Sequence, residues 1–138
     1  GYSPFDGATF SYYTTVKGIF EKVKEHAGDI DFAVQPDLLA LLSSGDFGRY
    51  ADEKGDMNVC FISNNDITGG NSGSAMFNAK GELLGLAFDG NWEAMSSDIL
   101  YEPKMQRTIG VDVRYILFMI EKYGKAGNLI QELKLANP

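Results

Sequence analysis

The run Gly69-Gly70-Asn71-Ser72-Gly73-Ser74 has the residue types that a nucleophilic serine requires of its backbone. Such a serine needs a hydroxyl projecting from a sharp turn, N–H groups converging on an oxyanion, and room for a substrate carbonyl. Gly70 can take dihedrals that aim its own N–H and that of Ser72 at one point. Gly73 leaves no side chain beside the attacked carbon. The expected site is Ser72 as catalytic nucleophile, with Gly70 and Ser72 as oxyanion donors. Two related motifs do not fit. The nucleophile elbow G-x-S-x-G needs glycine where Ser74 stands, and a phosphate loop needs a G-K-[ST] ending that is absent. A glycine-rich turn without chemistry has the same spacing, and the residues alone leave that reading open.

A serine without a general base is a weak nucleophile. The chain has one histidine, His26, beside Glu25, and it reads as a solvated side chain at the polar end of a helix. Either Ser72 is not catalytic or its base lies on sequence outside this chain. The start at Gly1-Tyr2-Ser3, without an initiator methionine, reads as that of an excised fragment and agrees with the second option. Cys60 is the one cysteine, which rules out an intramolecular disulfide and a thiolate metal cluster. Within Val59-Cys60-Phe61-Ile62 it reads as a small buried hydrophobe. No cofactor and no metal are expected. The net charge of -7 offers no basic stripe to neutralise phosphates and argues against nucleic acid. There is no long apolar run to span a membrane.

The elements that must position Ser72 follow from periodicity. Thr9 to Thr14 reads as a strand, and Thr14 or Thr15 caps a helix with Val16, Ile19, Phe20 and Val23 on one face. Pro36 starts a second short helix through Leu38, Leu39, Leu41 and Leu42. Asn58 to Ser63 and Ser74 to Phe77 read as strands, Asn78 to Gly81 as a turn, and Leu83 to Phe88 as a third strand. A long loop with Trp92 and Tyr101 follows, Trp92 being expected to pack in the core or its loop, with a place in the cleft wall as the alternative. Asp112 would cap a helix with Val113, Ile116, Leu117 and Ile120, ended by Gly124. Asn128 to Leu133 closes the chain as a helical segment. With 138 residues the reading is one domain.

Taken together, three further stretches carry a resemblance: Asp66-Ile67-Thr68 leading into the glycine motif, Gly85-Leu86-Ala87-Phe88-Asp89-Gly90-Asn91-Trp92-Glu93, and Arg107-Thr108-Ile109 with Val111-Asp112-Val113-Arg114-Tyr115. With Gly1-Tyr2-Ser3-Pro4 and Phe47-Gly48-Arg49-Tyr50-Ala51-Asp52, they resemble the dipeptidyl-peptidase 7 and 11 family of bacterial serine exopeptidases. The resemblance covers essentially the whole chain. It implies a mainly β fold with helices: the C-terminal half of a chymotrypsin-like double β-barrel, with flanking helices including a C-terminal one. Residues 1–138 would be that half alone, the first barrel and an inserted helical domain being absent, and the triad His and Asp with the first barrel.

The same resemblance implies site roles. Ser72 takes the nucleophile position and the N–H groups of Gly70 and Ser72 the oxyanion hole. The strand Leu86 to Gly90 would line the substrate cleft, with Phe88, Asp89 and Gly90 as substrate-binding residues. Asp89, by residue type alone a turn former, would hold the free α-ammonium of a peptide. Gly90 stands where members that cleave after Asp or Glu carry arginine, which points to the dipeptidyl-peptidase 7 type with apolar or aromatic P1 residues. Arg107 and Arg114 are expected to be structural. Asn71 replaces the aspartate of common trypsin-like enzymes and cannot pair with a newly freed N-terminus. The implied whole is a dipeptide-releasing enzyme acting on oligopeptides, homodimeric and periplasmic or on the surface of a Gram-negative bacterium, with this fragment inert by itself. The alternatives are acidic P1 specificity of the dipeptidyl-peptidase 11 type, a trypsin-like endopeptidase, and a peptide-binding domain in which Ser72 is a turn residue.

Overall fold

The computed structural model describes residues 11–96, 102 and 104–136. The chain forms two compact units, one from Gly1–Thr14 with Cys60–Val113 and the other from Thr15–Val59 with Arg114–Pro138.

The first unit is built on a five-stranded sheet. Its strands are β1 (Tyr13–Thr15), β2 (Asn58–Ser63), β3 (Ala75–Phe77), β4 (Leu83–Gly90) and β5 (Thr108–Asp112), in the order β1-β2-β5-β4-β3. The pairings of β5 with β2 and β4, and of β3 with β4, are antiparallel. The expected hairpin is present, with Gly81 at φ 77° in its turn, a value that glycine adopts without steric cost. β5 was not expected. It is nevertheless a central strand, with Thr108, Gly110 and Asp112 buried and Ile109 and Val111 half-buried between them. The strand expected over Thr9 to Thr14 is observed at Tyr13–Thr15, and Thr9 and Phe10 lie outside the described residues.

Close packing across this sheet depends on two glycines. A Cβ at Gly85 would collide with the Val111 carbonyl oxygen and stand 2.8 Å from the Phe61 ring. A Cβ at Gly110 would lie 2.6 Å from the Met76 sulfur and 3.0 Å from the same ring. Phe61 and Met76 therefore cover the two glycines, and strand and side chain approach more closely than any larger residue allows.

The second unit is helical. α1 (Val16–Glu25) and α2 (Pro36–Ser43) begin as expected, α2 with Pro36 in its first turn. Thr15 occupies the N-cap position of α1 without a side-chain capping bond. α3 (Val113–Phe118) runs into a π-turn over Met119–Tyr123, and α4 (Gly127–Gln131) follows. Val16, Leu42, Phe47, Tyr50, Met57 and Phe118 form the buried core, with Ile19, Phe20 and Leu38 packed on it. Phe118 is fully buried, and the Phe47 and Tyr50 rings meet it edge-on at 5.8 and 6.2 Å between centroids. Tyr50 donates its hydroxyl to Glu121, which also pairs with Arg49 at 3.2 Å. His26, expected to be solvated, is half-buried at the C-cap of α1 and stacks on Phe32 at 3.8 Å.

Candidate active site

The glycine-serine motif sits on the connection between β2 and β3, fixed at both ends. Thr108 on β5 donates its hydroxyl to the Asn65 carbonyl at 2.7 Å. At the other end, the Gly73 N–H donates to the Ala87 carbonyl at 2.7 Å, and the Ala87 N–H to the Ser74 carbonyl at 2.9 Å. Between these anchors Asn71 donates its N–H to the Thr68 carbonyl, and its own carbonyl accepts from Ser74. Gly70 stands at φ 95° and Gly73 at φ 89°, in the left-handed region that side chains disfavour. The two glycines are required by backbone shape, since a Cβ at either would meet nothing within 4 Å. Ser72 between them is exposed.

Among the described residues, the N–H groups of Gly70 and Ser72 have no hydrogen-bond acceptor in the chain. The Ser72 hydroxyl donates to the Phe88 carbonyl at 3.3 Å. A carbonyl oxygen holds the hydroxyl in place but cannot serve as general base at neutral pH.

Phe88 is held in an unusual register. Ala87 pairs with Gly110, yet Asp89 pairs with Ile109, so β4 carries one extra residue there. The resulting bulge redirects the side chains that follow it. Phe88 and Asp89 are both exposed, and with Ser72 and Gly90 they line one open depression of about 250 Å³. Ile67, Thr68, Ala94 and Met95 complete much of its wall. The Asp89 carboxylate accepts the Gly90 N–H at 2.8 Å.

Asn91 then locks the following turn in place. Its N–H donates to the Arg107 carbonyl at 2.9 Å, its side-chain amide donates to the Met105 carbonyl at 2.8 Å, and its side-chain oxygen accepts the Arg107 N–H at 2.7 Å. Arg107 itself donates to the carbonyls of Gln106 and Lys104, at 2.6 and 3.0 Å. The turn Trp92–Ser96 that Asn91 secures leaves Trp92 82% exposed. That overturns its expected packing in the core or its loop; Met95 of the same turn is likewise 74% exposed.

Sequence reasoning named Ser72, Gly70, Phe88, Asp89 and Gly90, and all but Gly70 line the depression. It missed Ile67, Ala94 and Met95, whose types carry no chemical signal, and the bulge, which no residue pattern announces. Asn91 could have been found, since a glycine-asparagine pair after an apolar run marks a turn. Among the described residues no group of His, Cys, Asp and Glu side chains is placed to hold a metal ion. No described helix is long and apolar enough to cross a membrane.

An exposed serine between two glycines at positive φ thus stands beside an open depression at the end of β4. The family model of Peptidase S46 matches residues 1–135, and the chain belongs to that family. It is 60% identical over 136 residues to a dipeptidyl-peptidase 7 of Porphyromonas endodontalis, covering 98% of this chain and 16% of that protein. It is 50% identical over 135 residues to an Asp/Glu-specific dipeptidyl-peptidase of Capnocytophaga gingivalis, covering 98% of this chain and 19% of that protein. The crystal structure of Porphyromonas endodontalis DPP11 in complex with dipeptide Arg-Glu superimposes with a TM-score of 0.88 at 44% identity, covering 96% of this chain and 19% of that one. The chain thus spans under a fifth of the length of these relatives.

Proposed function

We propose that the protein carrying this chain is a serine exopeptidase that releases dipeptides from peptide N-termini through an acyl-enzyme. Ser72 attacks the carbonyl of the second residue, and the N–H groups of Gly70 and Ser72 receive the oxyanion. A histidine and an aspartate from the part of the protein outside this chain supply base and orienter, so the chain alone is inert. Asp89 binds the substrate's α-ammonium, fixing the distance from N-terminus to scissile bond. Gly90 leaves the P1 pocket uncharged and suited to apolar or aromatic side chains. Acidic P1 residues, as in the names of some relatives, would call for a cation at that position. The sheet would be the second barrel of a chymotrypsin-like pair, in a homodimeric enzyme of the periplasm or cell surface.

The observation that carries this reading is that Ser72, Asp89 and Gly90 open on one depression. The test uses the whole protein with dipeptidyl substrates bearing a free or an acetylated amine. Ser72→Ala should lower kcat by at least about a thousandfold. Asp89→Ala should erase the preference for the free amine, mainly through KM. Unchanged turnover in the first variant, or an intact preference in the second, would remove the corresponding role. Efficient cleavage of acetylated peptides by the unaltered protein would make it an endopeptidase.

A further inference from the structure

Gly90 is surrounded, and what surrounds it has a consequence for selectivity. A Cβ at this position would stand 2.8 Å from the Ala94 Cβ, 3.6 Å from Ile67 Cγ2 and 3.8 Å from the Arg107 carbonyl oxygen. The 2.8 Å contact is closer than two carbon atoms can pack. It cannot be relieved by a rotamer change, because an alanine Cβ moves only with its backbone. That backbone is tethered: the Ala94 N–H donates to the Asn91 carbonyl at 2.9 Å, and Asn91 is bonded three times to the 105–107 segment. The φ of Gly90 is not in the positive range, so the obstacle to a side chain there is the Ala94 methyl and not backbone strain.

Resting on the exopeptidase reading above, we infer that Ala94 is the second specificity-determining residue of the P1 pocket, its methyl filling the space that a side chain at position 90 would need. The uncharged pocket is then a property of the Gly90–Ala94 pair. Ala94, Gly90 and Ile67 all line the depression beside Ser72, so the size of residue 94 limits how large a P1 side chain enters. A larger residue at 94 shortens the pocket, while a larger one at 90 is refused unless 94 shrinks. An arginine at 90 requires the Trp92–Ser96 turn to move or residue 94 to lose its methyl.

The experiment compares kcat/KM for substrates with P1 phenylalanine and P1 alanine in the whole protein, together with the rate at which a fluorophosphonate labels Ser72. Ala94→Leu should lower the phenylalanine-to-alanine ratio about tenfold or more, with Ser72 still labelled. Gly90→Ala should lower kcat/KM for both substrates, and the double variant Gly90→Ala with Ala94→Gly should recover most of that loss. The recovery keeps the inference testable should Ala94→Leu fail to fold. An unchanged ratio in a labelled Ala94→Leu protein, or no recovery in the double variant, overturns the role of Ala94. Failure of the unaltered protein to release any dipeptide would instead overturn the exopeptidase reading, so the two failures are distinguishable.

Discussion

At the scale of single residues, Ser72 depends on the two glycines that bracket it. At φ 89°, Gly73 has a conformation that costs an ordinary residue about 1–2 kcal/mol. Gly73→Ala meets no atom within 4 Å, so the cost falls on backbone shape and on the direction of the Ser72 hydroxyl. In the whole protein the expected result is a fall of about tenfold or more in the rate of Ser72 labelling by a fluorophosphonate. The thermal midpoint should change only slightly. An equal labelling rate would show that the turn does not aim the serine. What was legible in the sequence is the glycine-framed turn that leaves Ser72 exposed; its residues alone did not separate a nucleophile from a plain turn. Asp89 and Gly90 were not legible that way, since an aspartate-glycine pair reads equally as a turn. Only the resemblance gave them roles. Ala94 was beyond reach, because its part is steric and an alanine carries no sign of what it touches.

At the scale of elements, the amphipathic helices and the β3–β4 hairpin were readable from apolar spacing and turn residues, and β5 was not. Thr108-Ile109-Gly110-Val111-Asp112 alternates, but its buried positions are threonine, glycine and aspartate, which reverses the usual sign of an alternating strand. The reason lies in its neighbours: Gly110 must be small beneath Met76 and Phe61, contacts made by residues distant in sequence. The bulge at Phe88 is similarly a product of pairing. Gly85→Ala would press a methyl into the Val111 carbonyl, in a strand held on both edges, and should destabilise the protein by at least about 1–3 kcal/mol. Gly18→Ala, in the first turn of α1 with open space around it, should stabilise by up to about 0.5 kcal/mol, the low end of the mid-helix gain. Thermal unfolding of the two variants checks both signs. A Gly85→Ala protein as stable as its parent would contradict the close packing described for the sheet.

At the scale of the whole molecule, the helical unit joins its early and late segments through a polar contact as well as a core. Burial, and then the hydrogen bond to Glu121, push the Tyr50 hydroxyl from its ordinary 10.0 up to about 12. The same bond, reinforced by Arg49, lowers the Glu121 carboxyl below its ordinary 4.5. A raised tyrosine value means the folded state holds its proton more tightly, so that stability is full below pH 10 and is lost as pH climbs towards 12. The lowered carboxylate has the opposite sign: its contribution is present above pH 4.5 and fades as pH falls through the depressed value. In denaturant unfolding against pH, Tyr50→Phe should flatten the alkaline loss while leaving the protein folded near neutrality. An alkaline limb identical to that of the parent would mean that Tyr50 does not titrate with unfolding.

The interleaved division of the chain also bears on how it is made. On the ribosome, Thr15–Val59 precedes most of the sheet unit, but the core it begins lacks Phe118 until the residues after Val113 have followed. The sheet unit, by contrast, has all its strands once β5 is out. The order of synthesis therefore favours the serine-bearing unit folding first, with the helical unit waiting as an open half-core for its last segment. Until that segment arrives, α1 and α2 expose apolar faces of the kind that chaperones bind.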